Sequence, residues 1–253
     1  MTEQRSLGVA PAIVRFEIAS LVRTPFFLHN ALLSPIAFFV FLALGQAAQG
    51  RDLLGTEWFT ASTAGIWATT TTAVGIIGYQ RFQGTLEPLA VAPLRPGFAL
   101  ALTPASASLL GIIAIPISLG LQLFSGSIRV TPESVLGLVL VLISCASSSL
   151  AVSAIFIASR NATAFEPLLL IPVWLLSGLI VPLAAFPEPL RLVASLFPLT
   201  LAVGVAQQGS LAAAIPLGML ALLVSAIWAG LGFRAIGRAA GNAYRTGTFG
   251  FTQ

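Results

Sequence analysis

The chain contains no lysine: all twelve of its basic residues are arginine. A phosphate-binding loop of the form GxxxxGK[ST] therefore cannot exist in it, and any ATP chemistry has to come from another polypeptide. A single cysteine, Cys145, excludes an intramolecular disulfide, and with only one histidine beside it there are too few soft ligands for a zinc site. Charge of either sign is scarce, at 8% of residues, against 57% hydrophobic residues and a mean hydropathy of +0.97. Soluble domains carry about a quarter charged residues, so this composition is that of an integral membrane protein. The sequence pI of about 10.6 does not indicate nucleic acid, because the arginines stand singly between apolar blocks and make no run or stripe along the sequence. Their distribution is a topology signal instead.

Residues 1–25 hold Arg5, Arg15 and Arg23 with Glu3 and Glu17, which leaves no uninterrupted apolar core for a signal peptide, so the N-terminus is expected to be retained. Val14, Ile18, Leu21 and Val22 recur at helical spacing with Arg15, Glu17, Ser20 and Arg23 in the other positions. That pattern predicts a helix lying in the headgroup plane, a frayed cytoplasmic tail being the alternative.

Crossing the hydrocarbon core takes about 20 apolar residues. Six stretches qualify, at 26–46, 58–79, 98–123, 135–159, 165–183 and 211–233. Residues 184–206 carry Pro187, Pro189 and Pro198, which predicts a broken hairpin that dips into the outer leaflet and returns; a seventh span is the alternative. The expected fold is thus an all-α integral membrane protein, with a six-span domain over 26–233 and a tail over 234–253. Six spans put nine arginines (5, 15, 23, 81, 95, 160, 234, 238 and 245) on one side and three (51, 129 and 191) on the other. The positive-inside rule makes the first side cytoplasmic, with both termini. Trp58 then sits at the outer boundary, where amphipathic rings are favoured.

The loop 80–96, QRFQGTLEPLAVAPLRP, is the one substantial polar interruption on the cytoplasmic side of the first half. Gly84 breaks the preceding helix, Thr85 can cap a new one, and Glu87 opposes its positive end. Pro88 is tolerated in a first turn, and Pro93 and Pro96 end the element. A short cytoplasmic helix follows, and its apolar Leu86, Leu89 and Leu94 must be covered by lipid headgroups or by a partner's groove.

Polar residues inside spans invite functional readings. His29 and Asn30 reach the inner interface or bond a neighbouring helix. Thr69 to Thr72 stand with Trp67 one turn before Thr70 and Thr71; their hydroxyls either bond the i−4 carbonyl or line a substrate path. Ser147, Ser148, Ser149 and Ser153 give the fourth span a small-residue packing face. Glu166 before Pro167 is either ordinary helix-start chemistry or a gating group. The sequon Asn161-Ala-Thr163 falls in a cytoplasmic loop and reads as chance. No paired carboxylates, activated nucleophile or metal-ligand set is present, which argues against an intramembrane hydrolase.

Taken in order, an interfacial helix, two spans, RFQGTLEPLAVAP, four more spans and a late LLSGLIVPLAAFPEPL resemble permease subunits of type-2 ATP-binding-cassette (ABC) exporters. Arg81, Gly84, Thr85, Leu86, Glu87, Leu89 and Pro93 match the first intracellular loop of that family, with Ala92 replacing its hydroxyl residue and Gln80 its acid. Ser177, Gly178, Pro182, Pro187 and Pro198-Leu199-Thr200 match its fifth span and external re-entrant hairpin, a gating region. The resemblance implies a half-transporter in a bacterial plasma membrane. Two permease chains, identical or paralogous, would sit on two copies of a cytoplasmic ABC ATPase, which binds the ATP and Mg2+; this chain would hold no cofactor and be no enzyme itself. The Gly84–Pro93 helix would be the coupling helix, seated in the ATPase. The path would run between the permeases, bordered by the first, second and fifth spans, with Trp67, Thr70, Thr71 and Trp174 along it. Such a lining suits amphiphilic drugs or natural products, as in multidrug efflux, with a lipid-linked glycan or lipid as the alternative. A secondary transporter would need intramembrane charges, for which only Glu166 and His29 are candidates. A passive scaffold would leave the capped, leucine-bearing cytoplasmic helix unexplained.

Overall fold

A computed structural model describes residues 2–82, 98–158 and 166–246, and among them all regular structure is helical. The helices are α1 (Thr2–Arg23), α2 (Pro25–Ala48), α3 (Glu57–Phe82), α4 (Phe98–Leu110), α5 (Ala114–Phe124), α6 (Pro132–Ala158), α7 (Glu166–Leu175), α8 (Glu188–Ala194), α9 (Pro198–Ala206) and α10 (Leu211–Thr246). A 3-10 turn, Gly111–Ile113, joins α4 to α5. Four of the described stretches are long and apolar enough to cross a membrane: Pro25–Ala48, Leu100–Phe124, Pro132–Ala158 and Leu211–Asn242. They become five if the pair α8–α9, bent by 100°, counts as one broken span. The chain is therefore built as a membrane-embedded helical bundle.

Proline and short polar side chains mark the helix starts. Pro25 opens α2 and Pro198 opens α9, where a missing N–H leaves no bond unmade. Thr131 and Ser134 cap α6 reciprocally: the Ser134 N–H donates to Thr131 Oγ1 at 3.2 Å and the Thr131 N–H to Ser134 Oγ at 3.0 Å. Before α3 the Glu57 carboxylate accepts the Leu54 and Gly55 N–H groups at 2.7 and 2.9 Å. This clasps a loop that Gly55 turns at φ +83°.

The core is organised around α6, which packs against α3, α4, α9 and α10. Glycines set the closest approaches. A Cβ at Gly232 of α10 would lie 2.6 Å from the Ala151 nitrogen, and one at Gly137 would lie 2.7 Å from the Ala206 Cβ. Without a hydrophobic drive between helices in lipid, such close backbone packing is what holds them together. The same contacts give directions. Gly218 meets Leu140 and Gly232 meets Ala151, so α6 and α10 run parallel. Gly65 meets Ala114, and the Trp58 N–H donates to Gln122 Oε1 at 3.0 Å, so α3 and α5 run antiparallel.

Several boundaries differ from the sequence expectation. The stretch 165–183 is helical only over Glu166–Leu175, because Ser177 turns its hydroxyl back to the Trp174 carbonyl at 2.6 Å and Gly178 adopts φ +82°. In the other direction, α10 runs past residue 233 to Thr246. Glu17, expected on the polar face of α1, is buried against α4 and accepts the Thr103 hydroxyl at 3.0 Å, while Leu21 beside it packs with Ile76, Ala107 and Leu110. α3 continues to Phe82, so Gln80 and Arg81 are helical in backbone. The rest of the expected coupling element, with Gly84, Thr85, Leu86, Glu87, Leu89 and Pro93, lies outside the described residues, as does the 161–163 sequon.

Candidate substrate groove

The faces that α2, α3 and α7 turn towards each other leave an open groove of about 540 Å3. From α2 come Ser34, Ala37, Phe38 and Phe41, from α3 Ala64, Trp67, Ala68 and Thr71, and from α7 Leu170, Ile171 and Trp174. Each set recurs at spacings of three and four, so each helix presents one face. The indoles of Trp67 and Trp174 lie nearly parallel, at 10° with centroids 6.4 Å apart, and the Phe38 ring stands at 89° to Trp174 with centroids 5.4 Å apart. These offset-stacked and edge-to-face arrangements are the favoured ones, and they fix the rings as walls.

Among the described residues no charged side chain lines the groove. The protons of its two hydroxyls, those of Ser34 and Thr71, are committed within the protein. Ser34 donates to Asn30 Oδ1 at 3.1 Å, and the Asn30 amide donates to the Ala68 carbonyl at 3.3 Å and to Thr72 Oγ1. Thr71 donates to the Ala68 carbonyl at 2.8 Å. What the Ser34 and Thr71 hydroxyls still offer a ligand is acceptor lone pairs beside aromatic faces.

Two further cavities continue along α3. One of about 340 Å3 shares Thr71 with the groove and adds Thr24, Phe26, Phe27, Thr72, Gly75 and Ile76. The other, of about 510 Å3, lies beyond the opposite end and is polar, with Thr56, Thr60, Arg129, Glu133, Gln207 and Gln208. Thr60, Ala64, Trp67, Ala68, Thr71 and Gly75 fall on one face of α3, so one helical stripe about 22 Å long touches all three. Between the groove and the polar cavity stands the turn after α7. There Leu179 lines the polar cavity, its N–H bonded to Ser177 Oγ at 3.3 Å, and the Gly178 carbonyl accepts the Gln207 amide at 3.4 Å.

Of the path residues expected from sequence, Trp67, Thr71 and Trp174 come together here, across a hundred residues of chain. Thr70 does not. It is 1% exposed, and its hydroxyl donates to the Ile66 carbonyl at 2.8 Å, the i−4 bond that lets a threonine sit within a helix. Among the gating residues, Ser177 and Pro198 are buried while Pro182 and Pro187 are exposed and bracket the 3-10 turn Leu183–Ala185. Pro198 caps its carbonyl with the Ser144 hydroxyl at 3.1 Å, and Thr200 donates to the Leu176 carbonyl at 3.0 Å, which ties α9 to both α6 and the end of α7. His29 is exposed. The first span was expected to border the path but none of its side chains was named, although Ser34, Ala37, Phe38 and Phe41 at i, i+3, i+4 and i+7 form a small-and-aromatic stripe visible in the sequence.

No family model, curated protein or solved structure matches the chain. The groove has to be read from its own chemistry: aromatic walls, hydroxyl acceptors, no charge, and an opening on the outer surface of the bundle.

Proposed function

We propose that the chain is the permease subunit of an ATP-driven exporter of the type-2 ABC kind, carrying small amphiphiles with a hydrogen-bond donor. The observation that carries this reading is the uncharged aromatic groove on the α2–α3–α7 face, half of a passage that a second permease would complete. Six spans fit the helices as α2, α3, α4–α5, α6, α7 with its following turn, and α10, and the bent α8–α9 pair fits an external re-entrant hairpin. Residues 80–96 would then leave the membrane beside the arginine-rich end of α10, since Phe98 packs edge-on to Phe233 with centroids 6.5 Å apart. The described lining, aromatic rings and hydroxyls, supports carriage of amphiphiles, and ion coupling would need an ionisable group on the path.

Coupling follows from linkage: ATP-dependent closure of the ATPase pair that favours one permease arrangement shifts the population toward it. The test is cargo-stimulated ATP hydrolysis by the reconstituted complex across a panel of amphiphiles. Trp174→Ala removes a ring wall, an effect of about threefold to tenfold on the half-maximal concentration of aromatic compounds. Thr71→Leu should change which donor-bearing compounds stimulate. Thr70→Val, which alters a buried intrahelical bond and the contact of Thr70 with Cys145 of α6 but no groove surface, should leave the profile as it is. Identical profiles for wild type, Trp174→Ala and Thr71→Leu would remove the groove from the path.

A further inference from the structure

Scattered in sequence, three arginines share one face of α10. At 100° per residue, Leu223, Ile227, Leu231, Arg234, Arg238 and Arg245 fall within an arc of about 80°. All six are exposed. The buried Ser225, Gly232 and Ile236 lie on the opposite side of the helix, with Gly232 in contact with α6. The arginines thus continue, without rotation, the apolar stripe that α10 turns away from the bundle.

Height along the helix separates them. Phe233 is the last exposed large apolar residue of α10. At 1.5 Å per residue Arg234, Arg238 and Arg245 follow it by about 1.5, 7.5 and 18 Å. The headgroup layer on each side of a bilayer is about 5–8 Å thick. Arg234 and Arg238 therefore stand in that layer, directly above acyl chains lying on Leu223, Ile227 and Leu231. Arg245 stands about 10 Å clear of it, farther than charge at an anionic surface reaches at physiological salt. No Asp or Glu occurs anywhere in α10, so the pair presents two positive charges one helical turn apart without a carboxylate of its own element to neutralise them.

We propose that Arg234 and Arg238 form a seat for the phosphate of an anionic phospholipid whose acyl chain lies along Leu223, Ile227 and Leu231. Planar guanidinium groups bond phosphate oxygens in pairs, and the apolar stripe below supplies what a free anion cannot use. Through Gly232, whose backbone touches Ala151, a lipid held there bears on the α10–α6 contact.

The purified full chain, exchanged into mixed micelles, is titrated with phosphatidylglycerol and phosphatidylcholine, and bound lipid is counted by native mass spectrometry. Wild type should prefer phosphatidylglycerol about thirtyfold, about fivefold per arginine. Arg234→Gln or Arg238→Gln should each lose about fivefold, the double variant all of it, and Arg245→Gln nothing. Arg234→Lys, which keeps the charge, guards against a folding defect and should retain most of the preference. Inorganic phosphate at millimolar concentration should not displace the lipid. An unchanged preference in the double variant overturns the seat. So does an equal loss in Arg245→Gln, which would mean that the charge of the whole arginine stripe and not the pair at headgroup level draws the lipid, or full displacement by phosphate, which would mark a site for a free anion.

Discussion

Neighbouring threonines on α3 do different things, and only the fold separates them. Thr70 and Thr71 are chemically identical, both one turn after Trp67, yet 100° of helix turns one into the bundle and the other into the groove. Sequence supplied the helix and its polar run but not its rotation, which is decided by α2 and α7 packing on it. Glu17 teaches the same lesson with higher stakes. Spacing put it on a wet face, whereas α1 docks through Leu21 and takes Glu17 inside with it. Burial pushes the Glu17 carboxyl up from its ordinary value, and the hydroxyl of Thr103 opposes this only in part. Because the folded chain then holds its proton more tightly than the unfolded one, the docked helix is most stable below about pH 4.5, the ordinary value, and loses stability as pH rises through the raised one. Glu17→Gln keeps an oxygen for Thr103 and removes the charge. Hydrogen exchange across residues 14–23 should therefore be slower than or equal to wild type at pH 7.5, and the two should converge below pH 4.5. Faster exchange in the glutamine variant at pH 7.5 would mean that the carboxylate is held by a cation.

Elements were legible where hydrophobicity alone decides them and blurred where backbone chemistry does. The runs that became α2, α6 and α10 are long, apolar and free of competing signals, so their existence could be read directly. The stop of α7 at Leu175 could not, because it depends on a serine hydroxyl returning to a carbonyl and on one glycine with positive φ, both small features in an apolar stretch. The helix-to-helix distances were equally hidden, since a glycine in a span reads the same whether it faces lipid or another backbone. Gly230 and Gly232 make the contrast within one turn of α10. A Cβ on Gly230 meets nothing within 4 Å, and one on Gly232 meets the backbone of Leu150 and Ala151 at 2.6–2.8 Å. Backbone atoms cannot swing aside as side chains do, so Gly232→Ala has to lift α10 from α6. Gly230→Ala should stabilise the helix by about 0.5–1 kcal/mol of propensity and so raise the thermal midpoint slightly. Gly232→Ala should cost about 1–3 kcal/mol of stability, the usual range for overpacking, and so lower the midpoint. Equal midpoints for the two variants in the same detergent would show that α6 and α10 do not meet there.

At the scale of the whole molecule, α3 joins the groove to the start of residues 83–97. Its groove-lining face ends near Gly75, and two turns further on the helix delivers the chain into residues 83–97. The chain returns as α4, which holds Glu17 and packs on α3 and α6. Residues 83–97 are thus flanked by two helices, one of which lines the groove while the other packs on the central α6. The sequence argument for the loop rests on its capped, leucine-bearing helix, and Leu89 is its most discriminating residue. If the helix seats in a dry groove of an ATPase, Leu89→Arg forces an unpaired charge into that groove, at a cost of several kcal/mol unless the helix leaves it. If the helix rests on headgroups, arginine is welcome there, because its long stem lets the charge snorkel to an anionic surface. A substitution between the spans leaves the apolar stretches and the arginine balance as they are, so the variant is expected to be made in normal amount and to keep the thermal midpoint of wild type. On the proposed reading, wild type would hold a coexpressed ATPase in equal number, and Leu89→Arg should retain little of it and lose transport. Full retention with unimpaired transport would leave the loop as a membrane-surface element, and the force that moves α3 would have to enter the bundle elsewhere.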